Sequence, residues 1–125
     1  KLVVVIVQNL LSNAIKYTPN KGKVTLEIKK RKNNVEIVVS DSGYGIPKKQ
    51  QDQIYKKLFR ADNIKVKDTE GTGLGLYIVK SILDNTDGKI WFKSAEGKGS
   101  KFFVAIPLAG MKKKVGTKRL TWYDA

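Results

Sequence analysis

Leu2, Val5, Ile6, Asn9, Leu10, Asn13 and Tyr17 recur at the three- and four-residue spacing of one helical face. The pattern predicts an opening helix that stops near Thr18-Pro19-Asn20, because proline disfavours helical geometry in the residue before it. After Lys21-Gly22-Lys23 the period changes to two. Val24 to Lys29 alternates apolar and polar side chains, as a half-buried strand does. Val35 to Val39, closing on Ser40-Asp41, predicts its antiparallel partner across an Asn33-Asn34 turn, where asparagine tolerates positive φ. Residues 41–47 read as a loop, and Pro47 is placed to start a short helix running to about Phe59. Arg60 to Glu70 has mixed charge without apolar periodicity and reads as a mobile surface loop. A second helix is expected from about Gly73, carrying Leu74, Leu76, Ile78, Val79, Ile82 and Leu83 and ending at Asp87-Gly88. Lys89 to Lys93 and Lys101 to Leu108 predict a second hairpin around Glu96-Gly97-Lys98-Gly99. The order predicts an α+β fold, a two-layer sandwich with helices on one face of a mostly antiparallel mixed sheet.

Composition narrows the chemistry. The 125 residues suit one domain, and 41% hydrophobic with 29% charged content is that of a globular protein. With no cysteine, a disulfide framework and a thiolate metal site are both excluded. With no histidine, so is any imidazole base, nucleophile or zinc ligand within this chain. The apolar run Leu2 to Val7 is too short to span a bilayer, and no signal-peptide pattern precedes it. The start at Lys1, inside an apolar segment and without methionine, suggests an excised fragment. A net charge of +14 admits nucleic acid, an anionic membrane or an anionic ligand. Arginine, the preferred reader of base edges, occurs only at Arg31, Arg60 and Arg119, and aromatics are not interleaved with the basic clusters. A lysine-solvated surface is the simpler reading, and no nucleic-acid partner is expected. Residues 1–109 read as the domain and residues 110–125 as a basic tail.

Three places hold candidate chemistry. Asn9 and Asn13 lie one turn apart on an otherwise apolar helical face, where an amide needs a partner. Alone, the pair fits internal hydrogen bonding as well as ligand contact. Lys16 and Tyr17 add a cation and a ring one turn on. Asp41 ends a strand and is followed by Gly43 and Gly45. Its carboxylate accepts hydrogen bonds and suits an amino group such as adenine's exocyclic amine, while the glycines would let a flat base approach the backbone. An ordinary Asp-Ser-Gly turn explains the same residues. Gly71-Thr72-Gly73-Leu74-Gly75-Leu76 stands where a loop becomes a helix, exposing N–H groups at a positive helix start that suits phosphate. It is neither the dinucleotide fingerprint, since no strand precedes it, nor a Walker loop, since no Gly-Lys-Ser/Thr follows.

Together the three are more specific than any one of them. Gln8-Asn9-Leu10-Leu11-Ser12-Asn13-Ala14-Ile15-Lys16-Tyr17-Thr18-Pro19 resembles the N box of histidine-kinase catalytic domains. Asp41 to Pro47 resembles their G1 box, and Gly71 to Leu76 their G2 box. Ile54-Tyr55-Lys56-Lys57-Leu58-Phe59-Arg60 resembles the F box, with Tyr55 and Leu58 where phenylalanine or tyrosine is more usual. The likeness covers about residues 2 to 108 and implies the Bergerat ATP-binding fold, here without the family's usual first strand before the N-box helix.

That resemblance implies ATP and Mg²⁺ as cofactors and assigns roles. Asn13 would bind Mg²⁺ with Asn9 in support. Lys16 would meet the phosphates, and Tyr17 would pack near adenine and ribose. Asp41 would take the adenine amine, with Gly43, Gly45 and Ile46 shaping the pocket. Arg60 would approach the terminal phosphate, and Gly71, Thr72, Gly73, Leu74, Gly75 and Leu76 would hold phosphates as the Arg60–Glu70 lid closes. Asn13, Lys16 and Arg60 are the implied catalytic residues.

Similar ATP-hydrolysing proteins, type II topoisomerases and Hsp90 chaperones, place a glutamate one turn before the metal-binding asparagine to activate water. Here Asn9 stands there, and an amide cannot take a proton from water at neutral pH. Phosphotransfer is therefore expected over hydrolysis, with a nucleotide-binding regulatory module as the alternative. The acceptor histidine would lie on a dimerisation domain of the same parent kinase, a homodimer, and a response regulator would follow. The fragment itself would be a monomeric cytoplasmic domain of a parent that can be membrane-anchored.

Overall fold

A computed structural model describes residues 2–56 and 75–108 of the chain. Helix α1 runs Leu2–Lys16 and buries Ile6, Leu10 and Ala14, one stripe at helical spacing. Asn9 and Asn13 fall at the margin of that stripe, half-buried. The helix ends where expected: Thr18 Oγ1 donates to the Ala14 carbonyl at 2.6 Å, and Pro19 follows with no N–H to continue the ladder.

Strands β1 (Val24–Lys30), β2 (Asn34–Asp41), β3 (Lys89–Ala95) and β4 (Gly99–Pro107) form a sheet in the order β1-β2-β4-β3. The described strands pair antiparallel throughout, so the mixed character expected of the sheet has no parallel pair among them. The β1–β2 turn lies one residue earlier than expected. Lys30 pairs with Val35, and Arg31 N donates to the Asn34 carbonyl, so Lys32 and Asn33 are central. Neither has a positive φ, so the left-handed tolerance of asparagine is not used. Leu108 N donates to the Asn33 carbonyl instead, pinning the turn to the end of β4.

Helix α2 spans Gly75–Asp84 and buries Val79, Ile82 and Leu83; Gly73 and Leu74, where its start was expected, lie outside the described residues. Between β2 and α2, Lys48–Gln53 forms a 3-10 helix rather than the longer helix expected from Pro47. Its six residues are all polar and none is buried, so no apolar stripe favours α-helical spacing. Phe59, the expected end, is outside the described residues.

The two helices pack on one sheet face. Ile37 and Val39 of β2 and Phe102, Val104 and Ile106 of β4 meet Ile6, Leu10, Val79, Ile82 and Leu83 in a single core. Cover is centred on β2 and β4. On β1, Leu26 and Ile28 point to the same face as their register partners Val39 and Ile37, yet remain 41% and 64% exposed. This is the two-layer α+β architecture that the period changes predict.

Candidate functional site

Asn9 Nδ2 donates to the Val5 carbonyl at 2.8 Å. A carbonyl only accepts, so this bond fixes which way the amide points and leaves Oδ1 free for another partner. That oxygen lies toward the start of α2: a Cβ added to Gly75 would sit 3.4 Å from it. The structure thus brings the N-box helix against the described end of the glycine-rich motif. Asn13 is one turn on, half-buried, and no described residue hydrogen-bonds its side chain. Lys16 is exposed at the end of α1 and Tyr17 is half-buried beside it.

Asp41 closes β2, opposite Ser100 in the register with β4. Its Oδ1 accepts from Gly43 N at 2.9 Å and from Ser100 N at 3.2 Å. Both bonds fall on one oxygen, so Oδ2 remains for a ligand donor. Burial raises the pKa of this carboxyl above its usual 3.8, and the Gly43 and Ser100 backbone bonds pull the other way.

The loop after Asp41 is held at both ends. Tyr44 N donates to the Tyr17 carbonyl at 3.2 Å, and Gly97 N to the Tyr44 carbonyl at 2.7 Å. Ile46 N donates to Ser94 Oγ at 2.8 Å, and Gln51 Nε2 donates to the carbonyls of Ile46 and Ser94, each at 3.0 Å. The glycines also have a use within the protein. A Cβ on Gly43 would overlap the Tyr17 carbonyl, and Gly45, at φ +69°, turns its α-carbon against the Ala95 carbonyl. Both let protein backbone come close. Ile46 is buried in the core, so it supports the loop from beneath.

Sequence reasoning missed Ser94, Ser100 and Gln51 as supports of this loop. They belong to other segments, and only the register that sets Asp41 beside Ser100 and Ser100 beside Ser94 reveals them. Of the F box, Tyr55 packs edge-on against Phe92 with ring centroids 6.1 Å apart, and burial pushes its hydroxyl up to about 12. Arg60, Gly71, Thr72, Gly73 and Leu74 lie outside the described residues; Leu76 is half-buried against the core.

Residues 1–110 match the family model described as histidine kinase-, DNA gyrase B-, and HSP90-like ATPase. The chain belongs to this ATPase family. Curated relatives within it are named as sensor histidine kinases. The chain is 44% identical over 106 residues to the sensor-like histidine kinase SenX3 of Mycolicibacterium smegmatis, covering 85% of this chain and 28% of that protein. It is 36% identical over 104 residues to the sensor histidine kinase WalK of Bacillus subtilis, covering 82% and 17%. The chain therefore spans about a quarter or less of these curated relatives. Among solved structures, the catalytic domain of histidine kinase ThkA, nucleotide-free, superposes with a TM-score of 0.69 at 33% identity over 85% of this chain and 66% of that one. The mycobacterial sensor histidine kinase MprB gives 0.72 at 28% identity, over 82% and 70%. The fold is that of histidine-kinase ATPase domains, and ATP is the nucleotide the family binds. Among the described residues, no helix of this domain is long and apolar enough to cross a membrane.

The site's donors suit a hard cation held largely by its nucleotide. No group of three or more acidic, histidine or cysteine side chains that could hold a metal occurs among the described residues. What α1 offers instead is the Asn13 amide oxygen and Asn9 Oδ1. That is a sparse oxygen set of the kind Mg²⁺ accepts when phosphates and water complete its shell.

Proposed function

We propose that this domain transfers the γ-phosphoryl group of ATP to a histidine on a separate dimerisation domain of its parent kinase, for relay to a response regulator. The observation that carries the reading is Asn9. Its amide nitrogen is committed to the Val5 carbonyl, and its oxygen cannot accept a proton from water at neutral pH. The position from which relatives activate water therefore holds no base, and the phosphoryl group is kept for an acceptor.

Each residue then has one task. Asp41 accepts the adenine amine on Oδ2 while its Oδ1 keeps the loop in place. Tyr17 flanks the base, and Gly43, Gly45 and Ile46 set the shape of the floor. Asn13, supported by Asn9, would hold Mg²⁺, which supplies charge neutralisation to the phosphates. Lys16 meets the phosphates from the end of α1. The start of α2 at Gly75 and Leu76 has no acidic residue in its first turn, which keeps that turn suited to phosphate. Arg60, Gly71, Thr72, Gly73 and Leu74 are assigned to the phosphates on sequence alone.

In the transfer, an N–P bond forms at an imidazole nitrogen and the P–O bond to the β-phosphate breaks. ADP leaves with the electron pair, and the imidazole proton goes to solvent. Positioning and charge neutralisation account for most of such a step. The acceptor comes from outside, because the chain has no histidine. The parent acts as a homodimer, and this domain alone as a monomer.

The test combines the domain with γ-labelled ATP, Mg²⁺ and the parent's histidine-bearing helical hairpin. Acid-labile, base-stable label on the hairpin is expected. Label released mainly as free phosphate would overturn the transferase reading.

A further inference from the structure

The outer face of the sheet, opposite the helices, is divided by charge. On β1 and β2 the charges are matched: Lys29 lies 3.9 Å from Glu27, and Arg31 3.3 Å from Glu36. On β3 and β4 they are not. Lys89, Trp91 and Lys93 alternate along β3 and share the outer face with their register partners Ala105, Phe103 and Lys101. Lys93 and Lys101 thus stand directly opposite each other, an arrangement of like charges that destabilises a sheet. None of the three lysines forms a salt bridge with a described residue. At their centre Trp91 stacks on Phe103 with ring centroids 5.4 Å apart, still 39% exposed. Contrary to the reading from composition, lysines and aromatics do interleave here, along β3 and across to β4.

Strand β3 is also an edge of the described sheet. Lysine on an edge strand ordinarily blocks pairing with a stray strand, and that explains Lys89 and Lys93. It does not explain Lys101, which is on the inner strand β4, or an exposed tryptophan between the lysines. At its far end the strand is already engaged, because Gln51 Nε2 donates to the Ser94 carbonyl. The stretch that no described strand pairs on this edge is residues 89–93.

We propose that the β3 edge, residues 89–93, receives an extended acidic segment of a partner protein as an added fifth strand. Backbone pairing supplies the affinity and the alternating outer-face side chains the selectivity. Opposite Lys89 and Lys93 the segment carries carboxylates, the second of which also relieves the Lys93–Lys101 repulsion. Opposite Trp91 it carries an apolar side chain that covers the exposed ring. On the inner face it presents apolar residues beside Ile90 and Phe92, both half-buried. The lysines repel cationic and exclude purely apolar strands, so the same charges that guard the edge select its partner. This surface is separate from Asp41 and the asparagine face of α1, so it stands or falls independently of the nucleotide site.

The experiment titrates the full 125-residue chain with a blocked peptide containing Glu-Val-Leu-Val-Glu, followed by NMR shifts and amide exchange. Saturable binding is expected, with slower exchange confined to β3 and affinity that falls as salt rises. A proline in place of one valine removes a ladder donor and should weaken binding about fivefold or more. The double variant Lys89→Glu, Lys93→Glu should lose the acidic peptide and bind Lys-Val-Leu-Val-Lys instead, with nucleotide binding unchanged. That exchange of preference shows the variant is folded. No binding, indifference to the proline, or failure of the charge exchange each overturns the proposal. So does a single-stranded oligonucleotide that binds the same face more tightly than the peptide.

Discussion

Replacing Asp41 with asparagine separates the two tasks of its carboxylate. An amide oxygen can take the place of Oδ1 and accept from Gly43 N and Ser100 N as before, at 2.9 and 3.2 Å. Oδ2 becomes an NH₂ group and meets the adenine amine donor to donor. The free protein should not suffer. Burial is the largest influence on Asp41 and raises its pKa, so ionisation is disfavoured in the folded state. A carboxyl with a folded-state pKa above its unfolded value favours folding less as pH rises through that folded pKa. An uncharged amide escapes this cost, so at neutral pH the variant should melt at the wild-type temperature or above it. Nucleotide affinity should move the opposite way. A hydrogen bond to a charged group is worth about 1.5–3 kcal/mol, and about 1.4 kcal/mol is tenfold, so ATP should bind roughly tenfold to over a hundredfold more weakly. The triphosphate of unsubstituted purine riboside has no amine and should bind both proteins alike. Calorimetry with the two nucleotides, beside thermal denaturation of both free proteins, measures all of these. ATP affinity of the wild type, but not of the variant, should also fall as pH drops into the raised titration range of Asp41. Unchanged ATP binding by Asp41→Asn, or a loss of melting temperature large enough to explain its weaker binding, would refute the assignment.

Gly43→Ala should destabilise the domain by about 2–4 kcal/mol in urea denaturation. The new methyl group displaces the loop from the Tyr17 carbonyl and loosens the bonds made by Tyr44 N and by Gly43 N to Asp41. Gly97→Ala meets open space at φ +80° and should cost only about 1–2 kcal/mol of backbone strain; equal costs would refute the close-approach argument. Asn13→Ala should weaken Mg²⁺-dependent ATP binding while leaving adenosine binding nearly unchanged, and equal loss of both would make Asn13 a structural residue. Wild-type ATP turnover should be very slow, and Asn9→Glu should raise it by roughly tenfold or more, toward higher pH because burial delays ionisation of the new carboxylate. Asn9→Asp, too short to reach, should show no gain; rapid hydrolysis by the wild type would contradict the transferase reading.

The helices and strands were legible wherever burial imposes a period. The stripe of Ile6, Leu10 and Ala14 follows directly from which side chains must leave water, whereas Val24 to Lys29 keeps a strand's alternation although only Val24 is half-buried. The failures came where no burial disciplines the chain. Lys48–Gln53 is polar throughout, so nothing in its pattern separates a 3-10 turn from a longer helix. The turn at Lys32-Asn33 is decided by a bond from Leu108, 75 residues away, which no local signal announces. The site shows the same division. Asp41 and the two asparagines stand out as polar groups in apolar surroundings, whereas Ser94, Ser100 and Gln51 look like ordinary surface residues until strand register places them. The glycines of the 41–47 loop stand out in the sequence, but their close approach to the Tyr17 and Ala95 carbonyls depends on distant segments and does not.

The uncovered apolar side chains of β1 bear on how this domain behaves at high concentration. Leu26 and Ile28, on an edge strand of the described sheet, offer a second molecule both a ladder and a greasy surface. Opposing that encounter is the mutual repulsion of molecules that each carry +14. Salt shortens the range of this repulsion to about 8 Å at physiological ionic strength and to about 3 Å at 1 M. The attraction is short-ranged and survives screening. Colloidal stability should therefore decline as salt is added, and dilute, low-salt buffers should keep the domain dispersed where concentrated brine would cloud it.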